Sequence, residues 1–306
     1  MGRLTGKVAI VFGAGPNIGG TVAHFLARHG ASVVVTDVNM GAVEDTLAYL
    51  KSVGLDAQGM QCNALEEEDV KRVVNDTVQL HGKLDVIMNM AGKVHWSPLL
   101  EMELESWKHA VLSFPTAGML TTKYAAQAMI NCGSKGSIIH LLSTAAHFGE
   151  AAGTAYTAAK AALLNFSRSA AMDLAHEGIR VNTITPCAME HQLWGRKSGE
   201  LLDPDFEHPR TRAYYSRDDY LKMIPLERFP RASDLAWAVV FLASDESGFM
   251  TGVDLPVDGG LRFKYPTWRP GDFTGVNIRD YAKKARKTEY GDQKGFFYPG
   301  DTQDSD

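Results

Sequence analysis

Three cysteines in 306 residues, Cys62, Cys132 and Cys187, are too few and too irregularly spaced for a disulfide framework or a zinc site. A reducing compartment is therefore expected. Residues 1–7 run almost directly into an apolar strand pattern, without the apolar core of a secretory signal. No apolar run approaches the roughly 20 residues that cross a bilayer. Excess positive charge is missing too: the formal net charge is −5, which argues against a nucleic-acid partner. Internal repeats and low-complexity segments are absent. These absences lead to the expectation of a cytoplasmic protein that engages neither nucleic acid nor membrane and holds no metal.

What remains is an ordinary globular composition, with 45% hydrophobic residues, enough for a sizeable core. Short β-branched runs alternate with longer amphipathic stretches. Strands are predicted over Lys7–Phe12, Ala31–Thr36, Asp56–Gln61, Leu84–Met88, Ser137–Leu142, Ile179–Ile184 and Val253–Val257. Helices are predicted over Ile18–His29, Gly41–Val53, Glu66–Leu80, Glu103–Asn131, Thr154–His176 and Ser233–Ala243. The strand runs are nearly all apolar, as parallel strands covered on both faces require. The alternation implies an α/β fold, a doubly wound Rossmann-type sheet of about seven parallel strands with helices on both faces.

Two regions depart from the alternation. Residues 191–220 form an insertion carrying Trp194, Phe206, Tyr214 and Tyr215, expected within a substrate lid at about 187–225. Residues 263–306 follow the last strand and hold nine aromatics in 44 residues, against 9% for the chain. Disordered tails are usually aromatic-poor. This extension is therefore expected to dock on something, and its removal to change oligomer size or substrate binding. Its run of Lys283, Lys284, Arg286 and Lys287 reads as a solvated helix face. The division is thus one domain over 1–262 and an extension over 263–306.

The first strand ends in Gly13-Ala-Gly15-Pro-Asn17-Ile18-Gly19-Gly20 and leads into a helix. Glycines there let backbone approach a pyrophosphate, and the helix N-terminus offers free N–H groups and a positive dipole end. A purely structural turn is the other reading, but the strand–turn–helix context favours phosphate binding. Asp37 directly follows the second strand. Its carboxylate can accept hydrogen bonds from ribose hydroxyls and would repel a 2′-phosphate. Neither Pro16 nor any basic neighbour offsets it, so NAD is expected over NADP. Asp37 can also serve as a helix N-cap before Asn39. Asn89-Met-Ala91-Gly92 ends the fourth strand with small residues that leave room for a cofactor, or simply form a turn.

Tyr156 and Lys160 stand four apart in a helical stretch, on one helix face. A buried ammonium one turn away favours phenolate and lowers a tyrosine pKa towards working pH. Ser143 closes the fifth strand, where its hydroxyl can hold a substrate oxygen. A lone Tyr-x-x-x-Lys pair carries little weight; the ordered conjunction at successive strand ends carries much more.

With these motifs in that order, the chain resembles the short-chain dehydrogenase/reductase family over roughly residues 4–262. Tyr156-Thr-Ala-Ala-Lys160 and Ser143 match its catalytic pattern. Gly178-Ile-Arg-Val-Asn182 with Pro186 looks like its segment before the nicotinamide loop. Pro225-Leu-Glu-Arg228, Ala243-Ser-Asp245 and Thr251-Gly252 through Val257-Asp-Gly-Gly260 look like its C-terminal signature. The resemblance implies hydride transfer between NAD(H) and a secondary alcohol or ketone. Tyr156 would act as general acid/base, Lys160 would activate it and hold the nicotinamide ribose, and Ser143 would orient the substrate oxygen. It also implies cofactor contacts at Gly13, Gly15, Asn17, Ile18, Gly19, Asp37, Asn63, Ala64, Asn89, Ala91, Gly92, Pro186 and Met189, and a homo-oligomer, tetramer or dimer. The aromatic insertion suggests an apolar or cyclic substrate.

Four positions depart from the family. Asn17 stands where a second glycine is usual. Phe114, seven residues after Trp107, stands where an asparagine of a proton relay is usual, and an apolar ring carries no protons. Cys187 replaces the glycine after Pro186 and reads as a small apolar filler. His191 replaces a threonine and reads as a loop or cofactor contact. Phe114 keeps a second reading open, a nucleotide-binding sensor or interaction protein with reduced turnover. A nucleotide-sugar epimerase or dehydratase is disfavoured because Pro16 breaks the glycine spacing of that class.

Overall fold

The computed structural model describes residues 2–15, 18–189 and 220–264. Residues 1–263 form one compact unit; the second unit, 264–306, falls outside the described residues except for Lys264. The elements in chain order are β1 (Val8–Phe12), α1 (Ile18–Arg28), β2 (Ser32–Asp37), α2 (Met40–Ser52), β3 (Gln58–Gln61), α3 (Glu67–His81), β4 (Val86–Asn89), α4 (Leu104–Asn131), β5 (Ser137–Leu141), α5 (Thr154–Leu174), β6 (Arg180–Pro186), α6 (Ala232–Ala243) and β7 (Asp254–Val257). Each predicted strand and helix is present, with ends shifted by a residue or two. Among the described residues no helix is long and apolar enough to cross a membrane.

The seven strands form a parallel sheet in the order β3-β2-β1-β4-β5-β6-β7. Strand period decides which core each residue enters, because successive side chains point to opposite faces. Ala9 and Val11 of β1 pack with α1, α2 and α6 on one face. Ile10 and Phe12 pack with α3, α4 and α5 on the other. The same alternation runs through Val33, Val34 and Val35 of β2 and through Val86, Ile87 and Met88 of β4. Both faces are apolar, and so the strands read as unbroken hydrophobic runs. Each fully buried Val, Ile or Leu contributes about 1.5–3 kcal/mol, and this double core fixes the strand ends that carry the site.

Strand order reverses between β1 and β4, which lie side by side with Phe12 opposite Asn89. A crevice opens at the carboxyl ends of the strands at such a reversal. The β1, β2, β4, β5 and β6 termini, where the sequence motifs stand, meet along this edge. Helix α4 continues through Pro115. That proline removes one backbone donor from the helix interior and directly follows Phe114.

Candidate active site

The glycines after β1 are held open by close backbone approach. Gly13 has φ +82°, a conformation L side chains rarely adopt. A methyl on Gly19 would lie 2.2 Å from the Gly13 carbonyl oxygen, so only glycine lets α1 come this near the turn. The turn is pinned to β2: the Gly13 and Ala14 N–H groups donate to the Thr36 carbonyl at 2.9 and 2.8 Å. Thr46, buried on α2, donates its hydroxyl to the Ala14 carbonyl at 2.7 Å. Sequence reasoning missed Thr46, which reads there as one more helical polar residue. Ile18 opens α1; Asn17 lies outside the described residues.

Asp37 is the last residue of β2, beside this turn. One of its oxygens, Oδ1, accepts the Asn39 N–H at 3.0 Å. A methyl on Gly15 would lie 3.4 Å from the other, Oδ2, so the carboxylate faces the glycine turn. The N-cap of α2 is Asn39, whose Oδ1 accepts the Gly41 N–H at 3.0 Å. The capping alternative for Asp37 thus falls to Asn39, because Asp37 still belongs to the strand. Past the end of the neighbouring strand β3, Asn63 donates its N–H to Asp69 at 2.9 Å, and its Oδ1 accepts the Leu65 N–H at 3.2 Å. Asn63 and buried Ala64 line the same edge past β3.

Asn89, buried at the end of β4, spends both ends of its amide within the protein. Its oxygen accepts the Ala91 N–H at 3.1 Å, and its NH₂ reaches His140 Nδ1 at 3.2 Å. A backbone N–H only donates, so the facing amide atom is oxygen and the other is a donor. His140 Nδ1 must then be the bare nitrogen, Nε2 carries the hydrogen, and Thr122 Oγ1 accepts it at 3.0 Å. Burial, with a smaller push from the Lys160 ammonium, holds the His140 pKa down to about 3, so the ring stays neutral. Asn89 acts by fixing the turn of Ala91 and Gly92. His140 and Thr122 were not singled out from the sequence; the available signal was one histidine within the apolar run of β5.

Ser143 follows β5 in an extended conformation and begins a short helical turn. Its oxygen accepts the Ala145 N–H at 3.2 Å, leaving the hydroxyl hydrogen to donate. Tyr156 lies in the first turn of α5, half-buried between two rings. The Trp96 ring is 5.0 Å away and the Phe114 ring 5.6 Å away, edge-on. A methyl on Gly153 would lie 2.5 Å from Trp96, and the Ser97 N–H donates to the Ala152 carbonyl at 3.0 Å, so the Trp96 loop is fastened to the start of α5. One turn on, Lys160 is buried with Nζ 5.8 Å from the Tyr156 ring centre. It donates to the Leu141 carbonyl at 2.8 Å and sits 3.8 Å from the Phe114 ring centre. Burial pushes the Lys160 pKa down to about 7.

Pro186 ends β6 opposite Val257. Cys187 is buried, and burial, assisted by the Asp258 charge, pushes its thiol up to about 12. A thiol so protonated is no nucleophile at neutral pH, consistent with the filler role. The Ala188 N–H donates to the Tyr220 hydroxyl at 3.1 Å, and Met189 is half-buried beside it. His191 and residues 190–219 of the expected lid lie outside the described residues.

A buried charge cluster stands behind the Ser143 loop. Arg262 donates to Asp254 at 2.6 Å and to Asp258 at 3.0 Å, and approaches His147 Nε2 at 2.5 Å. Thr183 and Thr185 of β6 donate to the second Asp254 oxygen at 2.9 and 2.6 Å. Burial would raise the Asp254 pKa, but the hydrogen bonds from Thr185 and Arg262 outweigh it and hold the carboxyl below its ordinary value.

A glycine turn at the head of a parallel sheet, with a serine, a tyrosine and a buried lysine at neighbouring element ends, defines a Rossmann-type oxidoreductase. A family profile described as enoyl-(acyl carrier protein) reductase matches residues 13–262. The chain is 32% identical over 258 residues to 2,5-dichloro-2,5-cyclohexadiene-1,4-diol dehydrogenase LinX of Sphingobium indicum, covering 84% of this chain and 97% of that one. It is 34% identical over 260 residues to short-chain dehydrogenase reductase 4 of Arabidopsis thaliana, covering 84% and 83%. A solved short-chain dehydrogenase/reductase from Burkholderia xenovorans superposes with a TM-score of 0.75 at 28% identity, over 87% of this chain and all of that one. The chain belongs to the short-chain dehydrogenase/reductase family.

Proposed function

We propose that this oxidoreductase exchanges a hydride between NAD(H) and a secondary alcohol or ketone on an apolar, cyclic substrate, with Tyr156 as general acid/base. The observation that carries this reading is Tyr156 one helical turn before a buried Lys160, with Nζ 5.8 Å from the phenol ring. In oxidation, the Tyr156 oxygen takes the carbinol proton while Ser143 donates a hydrogen bond to the same oxygen. The Lys160 ammonium stabilises the tyrosinate through space, and in a dry site that interaction far exceeds its value in water. The bound nicotinamide supplies the hydride acceptor. In ketone reduction the same proton moves back.

The cradle residues fit a dinucleotide. Gly13 and Gly19 leave the backbone open where a Cβ would intrude. Asp37, facing Gly15, favours ribose hydroxyls over a 2′-phosphate, which supports NAD. Gly15, Ile18, Asn63, Ala64, Ala91, Gly92, Pro186 and Met189 complete the contacts we assign, with Asn17 beside them in sequence. Trp96, half-buried against Tyr156, presents apolar ring surface, which suits a flat ring next to the reacting carbon. The dehydrogenase named for a cyclohexadiene diol supports the same substrate class. A homo-oligomer is supported by Leu104 and Leu112, apolar yet 65% and 60% exposed on α4, and by Met172 on α5. Three free cysteines suit the reducing cytoplasm.

The test is NADH absorbance with NAD and a panel of cyclic and aromatic secondary alcohols, for wild type and Tyr156→Phe. Loss of about 100- to 10,000-fold in kcat is expected in the variant, the usual range for a removed acid/base. Bound NAD with no turnover of any alcohol would instead favour a nucleotide-binding role without chemistry.

A further inference from the structure

The Phe114 ring occupies a place that the chemistry of the site does not obviously call for. It is buried on α4, among Leu142, Ala159, Leu163 and Leu164. A methyl on Gly92 would come within 2.3 Å of two of its ring atoms, so the turn after β4 closes directly onto one side of the ring. Lys160 Nζ stands 3.8 Å from the ring centre, and the Tyr156 ring meets it edge-on at 5.6 Å. One apolar side chain thereby touches both partners of the acid/base pair. The ammonium donates to the Leu141 carbonyl at 2.8 Å.

We propose that Phe114 is a positioning residue whose ring face clamps the Lys160 ammonium by a cation–π contact and so keeps it charged and aimed at Tyr156. This rests on the acid/base role of Tyr156 proposed above. The physical need is plain. A fully buried ammonium tends to lose its proton where no carboxylate stands beside it, as is the case for Lys160 among the described residues, and burial displaces Lys160 in that direction. The negative face of an aromatic ring attracts a desolvated cation. Among the described residues, the Leu141 carbonyl of β5 accepts from the ammonium, but no facing group supplies a negative charge. His140 on β5 is neutral, Tyr156 shares α5, and α4 offers Phe114 itself. Phe114 therefore supplies the ring face that holds the charge of Lys160, and Gly92 makes room for it.

The experiment titrates Lys160 directly by its ¹³Cε shift in lysine-labelled protein without cofactor, the resonance assigned by its loss in Lys160→Met. Phe114→Leu and Phe114→Met keep an apolar side chain but remove the ring; Phe114→Tyr keeps the ring. A cation–π contact of about 0.5–2 kcal/mol corresponds to a roughly 2- to 30-fold change in the Lys160 acid constant. The midpoint is expected to fall in the Leu and Met variants and to return in the Tyr variant. With substrate, the alkaline limb of the kcat profile is expected to move the same way. An unmoved midpoint in both apolar variants, each folded by circular dichroism, overturns the clamp even where wild type turns over alcohols through Tyr156. A moved midpoint in a protein that oxidises no alcohol upholds the clamp and overturns the dehydrogenase reading instead.

Discussion

Lys160 is the residue at which folding and chemistry pull against each other. The proposed acid/base chemistry needs an ammonium, yet burial drives its pKa from an ordinary 10.5 to about 7. Below about pH 7 the folded and unfolded chains both carry the charge, and the folded chain bears the full cost of burying it. Above that, the folded chain releases a proton that the unfolded chain keeps until about 10.5. The wild type, without cofactor, should therefore gain stability relative to Lys160→Met as pH rises through this window, by about 1.4 kcal/mol per pH unit. Urea unfolding of both proteins at several pH values measures the slope; a difference independent of pH would show that folded Lys160 keeps its proton through this window as the unfolded chain does, so that burial does not depress its pKa.

At the scale of elements, the end of β7 and the loop after β5 are joined by the Arg262 cluster. Asp254, Asp258 and Arg262 are all nearly inaccessible, with side chains 7%, 3% and 7% exposed. Removing one member of a buried charge set costs about 3–5 kcal/mol, because the partners remain buried and uncompensated. Arg262→Met should thus lower the thermal midpoint clearly, while Asp254→Asn in the same chain should restore part of the loss. His147 belongs to the cluster and follows Ser143 by four residues. The single variant should for that reason also raise KM more than a surface substitution of equal stability would. Calorimetry with steady-state kinetics on the three proteins checks both expectations. A second element of note is α4, which carries Phe114 on its buried side and Leu104 and Leu112 on its open side.

For the whole molecule, that open side bears on assembly. Apolar patches of this kind on soluble proteins usually mark an interaction surface. Leu112→Glu places a charge there without touching the core, since Leu112 is 60% exposed. Light scattering should report a smaller mass for the variant than for wild type, with the circular dichroism spectrum unchanged. Equal masses would show that this face of α4 forms no interface between copies of the chain.

The sequence by itself determined the strand and helix alternation, the parallel sheet and the order of the motifs along its carboxyl edge. These depend on periodicities and spacings within a few residues: the apolar runs of Val33–Val35, the glycines from Gly13 to Gly19, Asp37 at its strand end, and Tyr156 one turn before Lys160. Tertiary structure alone decided what those residues meet. Asn89 reaches His140 across 51 residues, Arg262 reaches His147 across 115, and Phe114 comes from α4 to lie against Lys160 of α5. Such contacts follow from strand order and helix packing, which local patterns do not encode. The departure at Phe114 could be read in the sequence as a missing relay asparagine; only the packed structure put its ring against the ammonium, because the face it presents depends on Gly92 leaving space beside it.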